Sequence, residues 1–310
     1  MEPLLYGHFY FKIILNLLSL QGIFMQELDP LHAVKPFIKW VGGKRRSLPK
    51  LMRYVPRDIS TYVEPFVGGG AMFFALKFKR ALINDSNPEL MAAYRVLKDK
   101  PYELIELLKT FKFDKENYMA IRSWDKEKDF SKRSDVEHAA RLIYLLKTCF
   151  NGLYRVSAKN YFNTPMGKFT FEPKICNEES LLAVHNYLKQ NDTEIRCCSY
   201  VELFKDIPDD AFVYLDPPYA PLSKTSSFTS YQSQVWNDSA QRTLALFCTE
   251  LDKRGIRFMQ SNSTAPICFE LYKKFNITTL NAKRFINSDG AGRGDIKELV
   301  ITNYDVDSVL

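Results

Sequence analysis

Side chains that bind transition metals are sparse in this sequence of 310 residues and show no metal-ligand spacing. No two cysteines form a C-x-x-C pair and the histidines are scattered, so neither a zinc site nor a histidine-based nucleophilic site is evident. Cysteines in this arrangement are typical of reduced thiols in a cytoplasmic protein. The residues concerned are Cys149, Cys176, Cys197, Cys198, Cys248, Cys268, His8, His32, His138 and His185.

Apolar runs that would comfortably span a bilayer are missing too. The apolar segment Phe9–Phe24 contains one lysine and is shorter than the roughly 20 residues that a transmembrane helix needs. It has no basic lead-in and no cleavage site of the A-x-A kind, so we expect neither a membrane anchor nor a signal peptide. We interpret residues 1–34 as an appendage of unclear role, with the working protein beginning near Met25.

Acidic residues are absent between Lys35 and Arg57. This segment contains eight basic residues, in a chain whose net charge is +7. The run favours a surface that faces phosphates, with an ordinary solvated face as the alternative. The composition as a whole, 46% hydrophobic and 25% charged, is that of an ordinary soluble globular protein.

The most informative segment that is present reads VYLDPPY. The preceding run Ala211–Leu215 is apolar, β-branched and aromatic, as in a fully buried strand. Pro217 and Pro218 have no N–H and a fixed φ, so they end the strand in a stiff corner. An ionised Asp216 and the proline carbonyls are acceptors only. With Tyr219 beside it, this corner suits a planar amino-bearing ring such as adenine or cytosine, although a capped turn with a packed tyrosine is the alternative.

A glycine-rich turn precedes this corner. The segment Thr61–Phe78 predicts a strand, a turn at Gly68 to Gly70 that lets the backbone approach a ligand, and a helix. The next predicted strand, Ala81–Asn87, carries Asp85 near its end. An acid at this spacing is where nucleotide-binding α/β folds hold ribose hydroxyls.

Further strands and helices alternate along the chain and predict an α/β fold, a parallel-rich sheet with helices on both faces. We expect residues 35–94 and 194–310 to form this domain, and residues 95–193 to form an inserted, mostly helical module with a hairpin or loop near residues 151–169. Expected helices are Pro88 to Leu108, His138–Phe150 and Ser239–Arg254; expected strands are Glu194–Tyr200, Ile256–Asn262, Asn276–Ala282 and Glu298–Tyr304.

Six blocks in order resemble the Dam-type adenine-N6 DNA methyltransferases of the D12 class, α group. They are FIKWVGGK, EPFVGGG, NDSN, FNGLYR, FNTPMGKF and DPPYAPLSKTSSFTSY, and the resemblance extends from about Lys35 to Tyr304. One departure is small: the glycine block ends G-G-G where G-x-G is common. The resemblance implies a Rossmann-like class I methyltransferase sheet, an inserted DNA-recognition module and double-stranded DNA as the partner. Nothing in the sequence sets the oligomeric state.

The resemblance also implies S-adenosylmethionine as the cofactor, lying over the turn of Gly68 and Gly70. It assigns the methionine part of the cofactor to Trp40 and Lys44, with Glu64 and Phe66 close by, and the ribose hydroxyls to Asp85. Asp216 would lie where the cofactor and the target base meet.

The target adenine would be flipped out of the duplex, because its N6 cannot be reached inside the stack. Tyr219 would stack on the flipped ring, while the Asp216 carboxylate and the Pro217 carbonyl accept the two N6 protons. Transfer would then be direct and in line, with no covalent enzyme intermediate. Pro218 completes the corner.

Sequence reading would fall to the inserted module, and the blocks resemble those of enzymes that methylate the adenine of GATC. By that resemblance Phe150 enters the stack, Asn151 and Leu153 touch base edges, and Arg155 reads a guanine. Alternatively, Phe150 belongs to the core and Arg155 binds phosphate only. Further DNA-contacting positions by this resemblance are Lys39, Pro165 and Lys168.

Two other functions remain open from the sequence. One is an amino-methyltransferase acting on cytosine N4 or on RNA, since similar corners occur there; the other is a catalytically silent DNA-binding module. No metal is expected. We expect the protein to act in the cytoplasm of a bacterium or of a phage-infected cell, and the sequence does not distinguish a restriction-linked role from a regulatory one.

Overall fold

A single sheet of seven strands forms within residues 34–222, 236–283 and 295–308, which the computed structural model describes. Residues 1–33, most of the expected appendage, lie outside the described residues. The expected run Ala211–Leu215 is a strand over the whole of its predicted length. The strands are β1 Thr61–Glu64, β2 Arg80–Asn84, β3 Thr193–Arg196, β4 Ala211–Leu215, β5 Arg257–Ser263, β6 Asn276–Lys283 and β7 Asp295–Thr302.

The strand order is β3-β2-β1-β4-β5-β7-β6. Strands β1 to β5 are parallel, and β7 runs antiparallel between β5 and β6. Along the chain, β2 and β3 are added on one side of β1, and β4 and β5 are then added on its other side. Ligands of open α/β sheets bind at such a switch point, outside the carboxyl ends of the strands. Here those ends carry Glu64 and, one residue beyond β4, Asp216.

Two apolar cores cover the two faces of the sheet. Tyr62 and Tyr214 belong to the first core and Val63 and Leu215 to the second, because successive side chains of a strand point to opposite faces. Every residue of β1 and β4 is buried, as parallel strands with both faces covered should be. The predicted α/β fold with helices on both faces is confirmed.

Nine α-helices lie in the described ranges. Six of them have nine or more residues, and short 3₁₀ turns connect several of them. The α-helices are α1 Leu48–Leu51, α2 Pro88–Asp99, α3 Pro101–Thr110, α4 Lys115–Ser123, α5 Asp135–Thr148, α6 Glu178–Gln190, α7 Tyr200–Leu203, α8 Asp238–Lys253 and α9 Pro266–Leu271.

Two expected helices differ from the structure. The segment expected to be helical from Pro88 is two helices, because Lys100 precedes a proline and adopts φ −134° and ψ 46°. The helix expected after the glycine turn is only a 3₁₀ turn, Phe73–Ala75. The Tyr187 hydroxyl donates to the carbonyls of Phe73 and Leu76, at 2.6 and 2.7 Å, and so takes acceptors that a longer helix would use itself.

The expected hairpin is present between Arg155 and Asn163. Val156 and Phe162 form an antiparallel bridge, and the Asn163 N–H donates to the Arg155 carbonyl at 2.9 Å. Helices α2 to α6 share one apolar core with Phe162 of this segment and with the sheet. The division of the chain at residues 95 and 193 into two domains stays a prediction.

A buried ion pair anchors the hairpin to the helices. Arg141 on α5 is 1% exposed, and its guanidinium lies 2.7 Å from the carboxylate of Asp125. The same guanidinium donates to the carbonyls of Ile121 and Arg122, at 3.1 and 3.0 Å. Asp125 in turn accepts from the backbone N–H of Phe162 at 2.6 Å. A buried charge is costly unless an opposite charge lies beside it, so the stability of the fold depends on keeping Arg141 and Asp125 together.

We therefore expect Asp125→Ala to lower the free energy of unfolding by up to about 3–5 kcal/mol, because it leaves the buried Arg141 charge with only the more distant carboxylate of Glu89, at 3.5 Å. Denaturant unfolding measures the loss. The matched control is Asp99→Ala, which removes an exposed pair with Lys189 (2.9 Å) and should cost no more than about 1 kcal/mol. Equal losses for the two variants would contradict the anchoring role.

Candidate active site

The corner after β4 brings a buried ammonium against two carboxylates. The Lys44 ammonium lies 2.8 Å from an Asp216 carboxylate oxygen and 3.5 Å from a Glu298 oxygen, and it donates to the Gly42 carbonyl at 3.2 Å. The same ammonium lies 4.6 Å from the centre of the Tyr219 ring. The Tyr219 hydroxyl donates to Glu298. Lys44, Asp216, Tyr219 and Glu298 thus form one contact group.

Sheet register explains how Glu298 reaches this group. Strand β7 is antiparallel to β5, and Glu298 pairs with Ser263 at the carboxyl end of β5. An antiparallel strand therefore delivers an acid from near its beginning to the edge where the parallel strands end. The sequence predicts the strand but not the role of this acid.

Burial and neighbouring charges set the protonation of the group. Burial raises the pKa of Asp216 to about 6, with Lys44 opposing this rise and Glu298 adding to it. Burial alone would lower the pKa of Lys44, but the two carboxylates raise it above its ordinary value. Burial also raises the pKa of Tyr219 well above its ordinary value, so its hydroxyl remains a donor. Near neutral pH the group holds a cationic lysine and an ionised Asp216.

The glycine turn is shaped by positive φ angles. Gly68 has φ +48° and Gly70 has φ +72°. A Cβ at Gly68 would lie 2.8 Å from the Trp40 ring, and one at Gly70 would lie 2.6 Å from the Tyr94 hydroxyl. The Gly68 N–H donates to the Asp85 carboxylate at 3.1 Å. The glycine turn is therefore in direct contact with both Trp40 and Asp85. Their role in cofactor binding stays a prediction.

The other expected cofactor positions flank this turn. Glu64 is almost fully buried and accepts from the Tyr62 hydroxyl at 2.8 Å, and burial raises its pKa well above the ordinary range. Phe66 lies among aromatic rings, 5.0 Å from Tyr200 and 5.8 Å from Trp236 between centroids. Burial thus favours the neutral form of the Glu64 carboxyl, and Phe66 belongs to an aromatic cluster.

The segments FNGLYR (Phe150–Arg155) and FNTPMGKF (Phe162–Phe169), which we call the two FN blocks, meet Lys39 at one surface. The Phe150 N–H donates to the Pro165 carbonyl at 2.9 Å, and a Cβ at Gly152 would lie 2.9 Å from the Lys39 Cβ. Phe150 is 51% exposed and so is not a core residue. Asn151 is exposed with φ +56°, and Leu153 is partly exposed. The structure thus gathers Lys39 and most of the expected DNA-contacting residues.

Arg155 and Lys168 lie near this surface on the two blocks. The Arg155 guanidinium donates to the side-chain and backbone oxygens of Asn163, at 2.6 and 3.0 Å. Lys168 is exposed and follows Gly167, whose N–H donates to the Thr148 carbonyl at 2.9 Å. Asn163 therefore orients Arg155, a role that the sequence did not reveal.

The acid-free basic segment divides into two parts. Lys44 is buried in the site, whereas the other seven basic residues of the segment, among them Arg45 and Arg46, are exposed. The described residues contain no group of three or more metal-binding side chains. No helix in the same ranges is long and apolar enough to cross a membrane.

Several buried polar residues that hold the site escaped the sequence analysis. Asn84 donates to the carbonyls of Pro65 and Cys198 at 3.0 Å each, joining the ends of three neighbouring strands. Polar residues in otherwise apolar strands were the available signal, as in QSNS at the end of β5. The others are Glu298, Gln241, Asn262 and Ser263.

Two features together define a Rossmann-like methyltransferase. One is the strand order with an antiparallel β7, and the other is the acidic corner that pairs with a lysine near the glycine turn. The chain belongs to the family of D12 class N6 adenine-specific DNA methyltransferases, whose family model matches residues 40–286. The protein is therefore an adenine-specific DNA methyltransferase, acting on DNA with a methyl donor of the S-adenosylmethionine type. The family supports adenine over the cytosine, RNA and silent-module alternatives.

Curated relatives agree with this assignment. The type II methyltransferase M1.LlaDCHI of Lactococcus lactis subsp. cremoris is 43% identical over 273 residues, which cover 87% of this chain and 96% of the relative. The type II methyltransferase M.MjaIII of Methanocaldococcus jannaschii is 42% identical over 291 residues, covering 87% and 99%. The DNA adenine methylase of Vibrio cholerae is 35% identical over 268 residues, covering 86% and 95%.

Because Glu298 raises the pKa of Asp216, Glu298→Gln should lower it. We expect the methylation rate of the unaltered protein to fall as the pH drops through about 6, where Asp216 gains a proton. In Glu298→Gln this decline should begin at a lower pH. Rates measured from pH 5 to 8 test this, with Glu250→Gln, an exposed acid on α8, as the charge-matched control. An acid limb unchanged in Glu298→Gln would show that the two carboxylates are not coupled.

Proposed function

We propose that this protein transfers the methyl group of S-adenosylmethionine to N6 of an adenine flipped out of double-stranded DNA, within the sequence GATC. The observation that carries the proposal is the Lys44–Asp216 pair at the switch point of the sheet, beside the glycine turn and Asp85. We place its action in the cytoplasm, where the DNA of a bacterial or phage-infected cell lies.

The residues around the glycine turn fit S-adenosylmethionine. Asp85 is an acceptor for ribose hydroxyls, and Lys44 is a donor for the cofactor carboxylate. Trp40 lies against the turn and Phe66 belongs to an aromatic cluster, so the apolar parts of the cofactor would have flat rings to contact. When bound, the cofactor supplies an electrophilic methyl group on a sulfonium. Since the Lys44 ammonium already contacts three oxygens, a cofactor carboxylate would exchange with one of them.

The corner supplies what the amino group of adenine needs. The Asp216 carboxylate and the Pro217 carbonyl would accept hydrogen bonds from its two N–H groups, which draws the nitrogen lone pair out of conjugation with the ring. As the N6–methyl bond forms and the sulfonium–methyl bond breaks, N6 would lose one of these protons, with Asp216 as the nearest acceptor. No hydrogen bond among the described residues uses the Pro217 carbonyl. Tyr219 would stack on the base, with its ring fixed through Glu298. The chain thus aligns and polarises the nucleophile, which is how preorganised acceptors accelerate transfer.

Target selection would depend on the surface formed by the two FN blocks. Exposed Phe150 is suited to fill the gap that a flipped base leaves, and Asn151 and Leu153 lie next to it on the same turn. Arg155, oriented by Asn163, would read guanine through O6 and N7. The assignment to GATC is supported by the resemblance of these blocks to those of GATC-methylating enzymes.

The central test is methylation of plasmid DNA, followed by digestion with a nuclease that GATC methylation blocks. Full protection is expected for the unaltered protein. Asp216→Ala should lower turnover by about 10²-fold or more while DNA binding is retained, because one preorganised acceptor is lost. Near-normal turnover in this variant would rule out the mechanism. Adenine methylation outside GATC, identified by sequencing the product, would correct the site alone.

Arg155→Ala should cost roughly 1–3 kcal/mol of discrimination at one base pair if the guanidinium reads guanine. Activity on GATC should fall, and activity on duplexes changed at that one base should fall much less. The control is Arg45→Ala in the exposed basic segment, which should weaken all duplexes alike and reduce the salt slope by about one unit. Methylation rates on both kinds of duplex at two salt concentrations separate these effects. A uniform loss for Arg155→Ala would place its side chain on the DNA backbone.

A further inference from the structure

The corner of residues 216–220 is held from beneath by three buried polar side chains. Gln241 comes from the first turn of α8, and Asn262 and Ser263 form the carboxyl end of β5. Gln241 and Asn262 have no exposed surface, and Ser263 is 7% exposed. Buried polar groups cost free energy unless they are hydrogen-bonded, so each of these side chains needs a partner.

Each of the three side chains serves the corner directly or through its neighbour. Gln241 Nε2 donates to the Pro218 carbonyl at 3.2 Å. The Ala220 N–H donates to Asn262 Oδ1 at 3.2 Å, and Ser263 Oγ donates to the Ala220 carbonyl at 2.6 Å. The Asn262 Nδ2 donates to Gln241 Oε1 at 3.1 Å and so joins the set together. We call Gln241, Asn262 and Ser263 the polar frame.

The orientation of every amide in the frame is determined. Asn262 Oδ1 accepts two backbone N–H groups, from Ala220 and from Ser263 at 2.9 Å, so Nδ2 must face Gln241. Gln241 then presents its oxygen to Asn262 and its Nε2 to the Pro218 carbonyl. The frame thus has one hydrogen-bonding pattern, and that pattern fixes which way the peptide after Pro218 turns.

The sequence of the corner explains why such a frame is needed. Pro217 and Pro218 have no N–H, so a neighbouring strand cannot hold this segment by a ladder. Side chains must supply the missing hydrogen bonds. Because the frame fixes the Pro218 and Ala220 peptides, it determines the position of Asp216 and Pro217 on one side and of the Tyr219 ring on the other.

We propose that Gln241, Asn262 and Ser263 are positioning residues for methyl transfer: they hold the Asp-Pro-Pro-Tyr corner in the geometry that receives the adenine amino group, without touching the base. The inference rests on the proposed role of the corner. It concerns the chemical step only, since the hydrogen bonds of the frame within the described residues reach neither the glycine turn nor the surface formed by the two FN blocks.

The test compares two buried glutamines. Gln241→Met keeps the length of the side chain and removes its bond to the Pro218 carbonyl. Gln260→Met, at a residue on β5 that is equally buried and contacts Cys248 at 3.1 Å, is the matched control. For both variants, single-turnover methylation of plasmid DNA with S-adenosylmethionine gives the chemical rate. Separate titrations give the dissociation constants of cofactor and DNA, and denaturant unfolding gives stability.

For Gln241→Met we expect the single-turnover rate to fall roughly ten- to hundred-fold, with both dissociation constants within about twofold of the unaltered protein. Gln260→Met should retain its rate even if it loses comparable stability. A Gln241→Met rate within twofold of normal, or equal losses of rate in both variants, would overturn the proposal.

Ser263→Ala removes the bond to the Ala220 carbonyl and a longer one, of 3.4 Å, from the Ala265 N–H. It decides the matter if Gln241→Met does not fold, since its rate should fall by the same mechanism. Asp216→Ala separates this proposal from the function itself. An inactive Asp216→Ala beside a normal Gln241→Met rejects the frame alone, whereas an active Asp216→Ala rejects the role of the corner.

Discussion

A buried ammonium held between two carboxylates is the interaction on which the site depends. Lys44, Asp216 and Glu298 come from a turn, from the end of β4 and from β7, and they meet only when the sheet is complete. Removing one member of a buried ion pair typically costs about 3–5 kcal/mol, because the remaining charge has no counterion. The group therefore fastens the turn that carries Lys44 to the sheet and sets the charge at the corner after β4.

The corner after β4 and the glycine turn could be predicted because their signals are local. A buried strand, two prolines and an acid occur within nine residues of sequence at Ala211–Tyr219, and the glycine turn is followed by a strand-end acid at a spacing that reflects one βαβ unit. The roles of Glu298 and of the polar frame could not be predicted from such local signals. Their roles arise from strand register between β5 and β7 and from the packing of α8, which no short stretch of sequence encodes.

Local signals also missed contacts that single side chains make with other helices. The mixed-charge stretch Asp125–Arg133 has the composition of a surface loop and is mostly exposed, yet the Asp125 side chain pairs with buried Arg141 and supports the backbone of the hairpin at Phe162. The glycine turn has the pattern of a helix start, but Tyr187 takes the carbonyls that would continue it. In both cases the deciding partner lies on a helix distant in sequence.

The stacking of Trp40 on Tyr154 has a consequence for how such enzymes can diverge. The two rings lie 5.3 Å apart with an angle of 28° between their planes, and the same indole lies over Gly68. One side chain therefore contacts both the glycine turn and the base of the hairpin that carries Arg155. A hairpin transplanted from a relative would have to present a ring at the position of Tyr154, or the glycine turn would lose its cover. In this architecture the hairpin and the glycine turn are inherited together.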